Sequence, residues 1–331
     1  MSKPLPPFDA PDVPPAIRAE MLALRRSLDG IIPPKRDGLR NLLIATWNLK
    51  AFSSMTDAWT AGPDHSPKRD WRAMWAITEI VSRFDVIALQ EVKGNLKALR
   101  TLLKTLGRDW QLLMTDVTRG SEGNYERLAF LFDARRITLS GLACELVVPR
   151  DRLQEIEADA LKNQFARTPY AVGFRAGDTT FVLVTLHVLY GDNVEARVPE
   201  VKAIADWMAE WAEEMTDWEQ NLILLGDFNI DRHDSPIWQA FASTGLTVPP
   251  SLDRVPRSIF VKDADPLEKY YDQIAWFEEG STKRRLNLDC TAGGSIDFVS
   301  LLYRDLGMLP REMQYRVSDH YPLWVEFTER H

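Results

Sequence analysis

Cysteine is almost absent from this chain: Cys144 and Cys290 are the only two, too few for a disulfide scaffold and not spaced as metal ligands. Long apolar runs are missing as well. None approaches the roughly 18 residues that suggest a membrane-spanning helix, and the opening stretch MSKPLPPFDAPDVPPAIRAE lacks the apolar segment of a secretory signal. A cytoplasmic, reduced protein is the expected setting. Excess positive charge is also missing, since the formal net charge is −8 and the pI is near 5.3. That argues against a protein that coats a duplex, because such binding rests on Lys and Arg neutralising phosphates. It leaves room for an enzyme that cuts one. Carboxylates gathered around a divalent cation add negative charge, and the bound ion reverses the local field.

What is present is ordinary in bulk. The 331 residues are 45% apolar and 27% charged, as in a globular protein. The 11 tryptophans are scattered, which suggests core and cleft lining. Residues 1–37 hold eight of the 20 prolines, with apolar periodicity only over Ala16–Leu28. They read as a Pro-rich arm with one short helix, outside the catalytic core. No boundary divides the remainder, so residues 38–331 read as a single catalytic domain.

Within that domain, short apolar runs are each followed at once by polar residues. LLIAT precedes Trp47-Asn48, DVIALQ precedes Glu91, FVLVTL precedes His187, and LILLG precedes Asp227-Phe228-Asn229. Runs of this length and composition read as strands buried on both faces. ERLAFLFD, ITLSGLACELVV, YAVGFRA, YDQIAWF, SIDFVSLL and PLWVEFT are further strand candidates. Amphipathic helices are expected over Lys68–Arg83, Leu96–Leu106 and Val194–Trp218. Many strands with a few long helices predict an α/β sandwich, two packed sheets with helices outside.

The polar residues at these strand ends are the candidates for chemistry. Glu91 ends a buried strand, where a carboxylate is costly unless paired or bound to a cation; alone it reads equally as a solvated charge. Asn48 alone reads as a turn former. Asp227 and Asn229, two apart beyond a strand, can present an acceptor and an amide to one oxygen centre, or simply close an Asx turn. His187 alone fits a hydrogen-bonded structural role as well as a catalytic one. In Ser318-Asp319-His320-Tyr321-Pro322 the adjacent acid and imidazole point in different directions, so Asp319 can hold a metal while His320 faces a phosphate. Phosphate ester hydrolysis needs these types: oxygen ligands for a divalent cation, and an acid and a base, for which carboxylate-oriented histidines suit.

Taken in order, TWN, LQEV, THV, GDFN, YDQI and SDHYP resemble the motif series of the DNase I-like endonuclease/exonuclease/phosphatase superfamily, over nearly everything beyond the arm. The resemblance implies a four-layer α/β sandwich, two packed mixed β-sheets flanked by helices. It implies a metal-dependent hydrolase acting on ester bonds. Glu91 resembles the principal magnesium ligand, with Asn48 and Asp319 beside it, and Mn2+ or Ca2+ as alternatives to Mg2+. Asp227 and Asn229 match the groups that position the attacking water and the phosphate. His187 and His320 match the paired catalytic histidines. Asp272 resembles the partner of His320, with Asp297 in SIDFVS competing for that place, and Glu126 resembles the partner of His187. Arg167, in ARTPY, sits where the DNase I branch has a phosphate-contacting arginine. QEVK, YER and ARTPYAVGF lean toward that branch.

Substrate is less legible. Lys93, Lys97, Arg100 and Lys104 share one face of the helix after Glu91. That face suits a phosphate backbone or merely the solvated side of an amphipathic helix, with Lys93 the candidate for a phosphate contact. A nucleic acid is the expected substrate. A small or lipid phosphoester, such as an inositol phosphate or a sphingomyelin-type head group, is the alternative, and Met55–Pro67 with Trp59 is the one apolar loop that suggests membrane contact. Oligomeric state is not legible.

Overall fold

The computed structural model describes residues 5–7, 10–37, 40–118, 124–147, 167–190, 197–214, 221–261, 267–277 and 286–330. Twelve strands are found among them. They are β1 (Leu42–Phe52), β2 (Val86–Lys93), β3 (Trp110–Met114), β4 (Glu126–Asp133), β5 (Thr138–Glu145), β6 (Tyr170–Ala176), β7 (Thr179–His187), β8 (Asn221–Asp227), β9 (Leu246–Thr247), β10 (Asp272–Phe277), β11 (Leu288–Ser295) and β12 (Leu323–Glu329). One sheet has the order β11-β12-β1-β2-β4-β3 and the other β5-β6-β7-β8-β10-β9. In each sheet one central pair is parallel, β1 with β2 and β7 with β8, while its neighbours are antiparallel.

Alternation along the central strands explains the layers. Leu42 and Ile44 of β1, Val86 and Ala88 of β2, and Phe130 and Phe132 of β4 belong to the core shared with the second sheet. Phe130 meets Phe174 of β6 edge-on at 5.5 Å, and Trp276 of β10 meets Phe327 of β12 at 5.2 Å, so aromatic pairs tie sheet to sheet. The intervening residues, Leu43, Ala45, Ile87 and Leu89, enter a second core under the helices α1 (Pro15–Ile31), α2 (Trp71–Val81) and α3 (Lys97–Leu106). The outer face of the other sheet is covered by α4 (Val198–Glu214) and α5 (Pro236–Ala242). The result is a four-layer α/β sandwich.

The N-terminal segment is more firmly attached than an arm outside the core. Pro15 opens α1, whose fixed φ suits a first turn, and Ile17, Met21, Leu24 and Leu28 recur with helical period and are buried in the second core. Arg136 Nη1 donates to Arg36 O at 2.7 Å and Lys35 Nζ lies 3.1 Å from Asp133 Oδ2, fastening the segment after α1.

Other expectations shift. SIDFVSLL is a turn rather than a strand beyond Ser295: Asp297 Oδ1 accepts from Val299 N at 3.0 Å and Ser300 N at 3.2 Å, so the side chain replaces a strand ladder. Ile296, Phe298 and Leu302 of that turn fill the second core. α4 carries Trp207 and Trp211 against the first core as expected; residues 194–196 and Trp218 lie outside the described residues. Among the described residues, no helix is long and apolar enough to cross a membrane.

Candidate active site

Parallel pairing decides where the polar residues meet. Asn48 and Glu91 stand at the C-terminal ends of β1 and β2, and His187 and Asp227 at the C-terminal ends of β7 and β8. Antiparallel neighbours bring their N-terminal ends to the same rim: Glu126 opens β4 in register with Lys93, and Asp272 opens β10 in register with Asp227. His320 precedes β12, next to β1. The rim surrounds a cleft of about 370 Å³ lined by Glu91, Glu126, Arg167, His187, Asp227, Asn229, Asp319 and His320 among others. A cavity of about 460 Å³ lies elsewhere, between β10 and β11, and holds none of these groups.

Local backbone irregularity aims the side chains. The β2 register shifts between Leu89 and Val92, and Glu91 within that bulge has φ 60, a left-handed conformation. Its Oε2 accepts from Ala51 N at 2.7 Å, and its Oε1 from Asn48 Nδ2 at 3.2 Å. Asn48 Nδ2 also reaches Asp227 Oδ2 at 3.0 Å. Asp227 Oδ1 accepts from Asn229 N at 2.9 Å, and Asn229 Nδ2 donates to Val188 O at 2.7 Å, which closes the turn after β8. Gly226 has φ 141, and a Cβ there would fall 2.2 Å from Leu186 O, so glycine is required for the close approach of β7 and β8.

Two carboxylate–imidazole pairs flank Asp227. Glu126 Oε2 lies 2.9 Å from His187 Nδ1 and 2.9 Å from Arg167 Nε, while Lys93 Nζ donates to Glu126 Oε1 at 2.8 Å. Burial alone would raise the Glu126 carboxyl, but His187, Arg167 and Lys93 outweigh it and hold it at about 2. On the other side Asp272 Oδ2 lies 2.6 Å from His320 Nδ1. Asp227 Oδ2 stands between them, 3.5 Å from His187 Nε2 and 3.8 Å from His320 Nε2. Burial would raise Asp227 too, yet the charges of His320 and His187 and the Asn48 amide keep it below its ordinary value.

Each predicted residue can now be placed. Asp272 meets His320, whereas Asp297 is spent on its own turn. Arg167 lines the cleft and bonds the His187 and Val188 carbonyls at 3.3 and 3.4 Å. Lys93 is committed to Glu126 and to Asn124 O at 3.0 Å, so its ammonium braces the carboxylate rather than standing free for a phosphate. Lys97 pairs with Asp57 at 2.9 Å, which removes a second charge from the expected basic face. The loop Met55–Pro67 buries Met55 and Ala61 and packs Trp59 edge-on against Trp71, exposing polar groups such as Asp57, Asp64 and His65.

Glu91, Asn48 and Asp319 offer hard oxygen donors of the kind Mg2+ takes. Asp319 Oδ1 is buried without a hydrogen-bond partner, which fits an atom meant for a cation. Lys50 Nζ pairs with the other oxygen, Asp319 Oδ2. Two other clusters have metal-compatible spacing, Glu91 with Glu126 and His187, and Asp227 with Asp272 and His320. Their closest approaches are the hydrogen-bonded imidazole pairs just described, and the oxygen set suits a hard ion better.

Sequence reading missed Arg69. Its guanidinium is buried, stacks on Phe52 at 5.0 Å, and donates to five carbonyls: Leu49, Lys50 and Ala51 near the end of β1, and Arg316 and Val317 before Asp319. Without an ion-pair partner at contact distance among the described residues, burial lowers it to about 10, against the pull of Glu91. It therefore ties together the two segments that deliver Asn48 and Asp319. No local signal betrays this, because Arg69 precedes the helix cap Asp70 like any surface residue.

Two packed mixed sheets with carboxylate–imidazole pairs at one rim define a DNase I-like hydrolase of ester bonds. The chain belongs to the Endonuclease/Exonuclease/phosphatase family, whose sequence profile matches residues 45–320. It is similar to a deoxyribonuclease of Thioalkalivibrio sp. (strain K90mix), 27% identical over 299 residues, covering 87% of this chain and 72% of that protein. Deoxyribonuclease-1 of Bos taurus is 25% identical over 306 residues, covering 87% and 93% respectively. Among solved structures, an endonuclease/exonuclease/phosphatase family protein from Bacteroides thetaiotaomicron superposes with TM-score 0.57 at 18% identity, covering 87% of this chain and 98% of the other. That likeness concerns the fold.

Proposed function

We propose that the protein is a Mg2+-dependent nuclease that hydrolyses phosphodiester bonds of nucleic acids. One observation carries this: two carboxylate–imidazole pairs, delivered by β4, β7, β10 and the segment before β12, converge on a single buried aspartate. The deoxyribonucleases to which the chain is similar support the choice of substrate.

Glu91, Asn48 and Asp319 are the residues that would hold the cation. When bound there, it would neutralise the charge that grows on the phosphoryl oxygens. Asp227, ionised and within reach of both imidazoles, orients the attacking water, whose proton passes to Nε2 of His187. Asn229 fixes the turn that carries Asp227. His320, held as the imidazolium, faces the phosphate with Nε2. His187, with its Nδ1 on the acceptor-only Glu126, offers Nε2 for proton transfer at the reacting oxygens. Arg167 contributes a planar cation beside the phosphate, and with Lys93 it keeps Glu126 ionised.

The deciding experiment incubates the full chain with plasmid DNA, RNA, inositol phosphates and sphingomyelin, with Mg2+ or EDTA. Consumption of nucleic acid only with Mg2+ is the expected result. Consumption of the lipid or inositol substrates alone overturns the proposal.

A further inference from the structure

Six residues line the cleft without a part in the chemistry above; beside Asn124 and Ser258 these are Tyr190, Phe260, Lys269 and Tyr271. They are held in place from behind. Ile259 N donates to Asp319 O at 3.0 Å and Ser258 bridges His320, which fixes Phe260 beside the reacting groups while leaving it half-buried. Lys269 Nζ stands 5.5 Å over the Phe260 ring and, among the described residues, pairs with no carboxylate. Tyr271 lies 5.6 Å from the His320 ring and 6.4 Å from Tyr190. Tyr190 is 57% exposed, yet its ring rests on the buried Arg197 guanidinium at 4.7 Å. An exposed aromatic ring pinned over a buried cation is oriented for a ligand more than for the core.

Aromatic faces with the Lys269 ammonium beside them match an unstacked nucleobase and its neighbouring phosphate. They also supply what the rest of the surface lacks. The net charge is −8, and Lys93 and Lys97 are already paired with Glu126 and Asp57, so little affinity can come from counterion release along a duplex. Stacking on an aromatic ring needs no such charge, but it needs a base free of its own stack. Among the described residues no tryptophan lines this cleft, and these three rings are its aromatic component.

We propose that Tyr190, Phe260, Lys269 and Tyr271 form a subsite for one unstacked base and the adjoining phosphate, making single-stranded nucleic acid the preferred substrate. This rests on the nuclease reading. The test compares kcat/KM, with Mg2+, on a short fluorescein-labelled oligothymidylate, on the same strand annealed to its complement, on a labelled abasic strand of the same length, which has no base to stack, and on bis(p-nitrophenyl) phosphate as a small phosphodiester.

The single strand is expected to be cut at least about tenfold faster than the duplex, and Phe260→Ala to lower the ratio of oligothymidylate to abasic-strand turnover about tenfold, as loss of one stacking contact does. Phe260→Trp, which keeps a stacking face, should restore that ratio. Equal or faster cutting of the duplex, or an unchanged ratio in Phe260→Ala, overturns the subsite while leaving the nuclease reading in place. Hydrolysis of bis(p-nitrophenyl) phosphate with no strand cut removes the nuclease reading itself.

Discussion

Asp272 and His320 are joined by a 2.6 Å contact between Oδ2 and Nδ1 across 48 residues of sequence. Burial pushes Asp272 up to about 6, against the opposing pull of His320. Burial would lower His320, but Asp272 and Asp227 outweigh it and carry the imidazole up to about 10. At neutral pH the pair is a carboxylate and an imidazolium, with the proton on the ring.

That pairing predicts the cost of removing either partner. His320→Ala and His187→Ala should each lower kcat on the order of 10²–10⁴, the usual scale of acid–base catalysis. Asp272→Asn should lower it too, because the amide neither stabilises the imidazolium nor fixes its tautomer. Steady-state kinetics on plasmid DNA measures this, with circular dichroism confirming folded protein. Near-normal turnover in His320→Ala would contradict the assignment.

Glu91→Gln should reduce turnover by several orders of magnitude and weaken Mg2+ binding, since the amide removes the charge that most favours the ion. Calorimetric titration of Mg2+ into wild type and variant reads the affinity without relying on catalysis. Unaltered binding would move the ion to the cluster of Asp227, Asp272 and His320.

Arg69 should matter to both stability and the site. Arg69→Met leaves five carbonyls, three of them in buried contacts, without their donor, at a cost of about 3–5 kcal/mol, the scale of a few unsatisfied buried acceptors. Arg69→Lys keeps a charge but loses the planar fork and should fall between. Urea denaturation gives the stabilities. Mg2+ titration of the folded Lys variant should show weaker binding, because the Asn48 and Asp319 segments are no longer tied together.

Acid sensitivity should trace in part to Asp133, remote from the cleft. Burial raises this carboxyl, but Arg135 and Lys35 bring it to about 2, below its unfolded value. A depressed carboxylate contributes stability above its unfolded pKa and loses it as pH falls through the folded one. The contribution is therefore complete above about pH 4 and should vanish toward pH 2. Asp133→Asn should flatten that part of a stability-versus-pH curve measured by thermal unfolding; an identical slope would show the acid response lies elsewhere.

The strands that carry the site were legible because parallel strands covered on both faces are continuous apolar runs, as in LLIAT and LILLG. Of the described edge strands, β5 was legible within ITLSGLACELVV, whereas β3, β9 and β11 were not. β3 alternates irregularly in exposure and β11 contains Gly293-Gly294, so neither presents a run or a clean period, and both lie at sheet margins. SIDFVSLL misled because the same apolar residues serve a core-filling turn, with Asp297 choosing between the two. At the site, residues that act through side-chain type were readable from order alone. Arg69 and Phe260 were hidden because their places follow from main-chain carbonyls and a β-bridge that only folding creates.

β12 lies between β11 and β1, and His320 stands directly before it. A polypeptide still emerging from the ribosome holds β1 with one open edge until this late stretch arrives to zip along it. His320 is thus brought to the rim only when β12 pairs with β1, and a chain shortened before that strand has no Asp272–His320 pair at its centre.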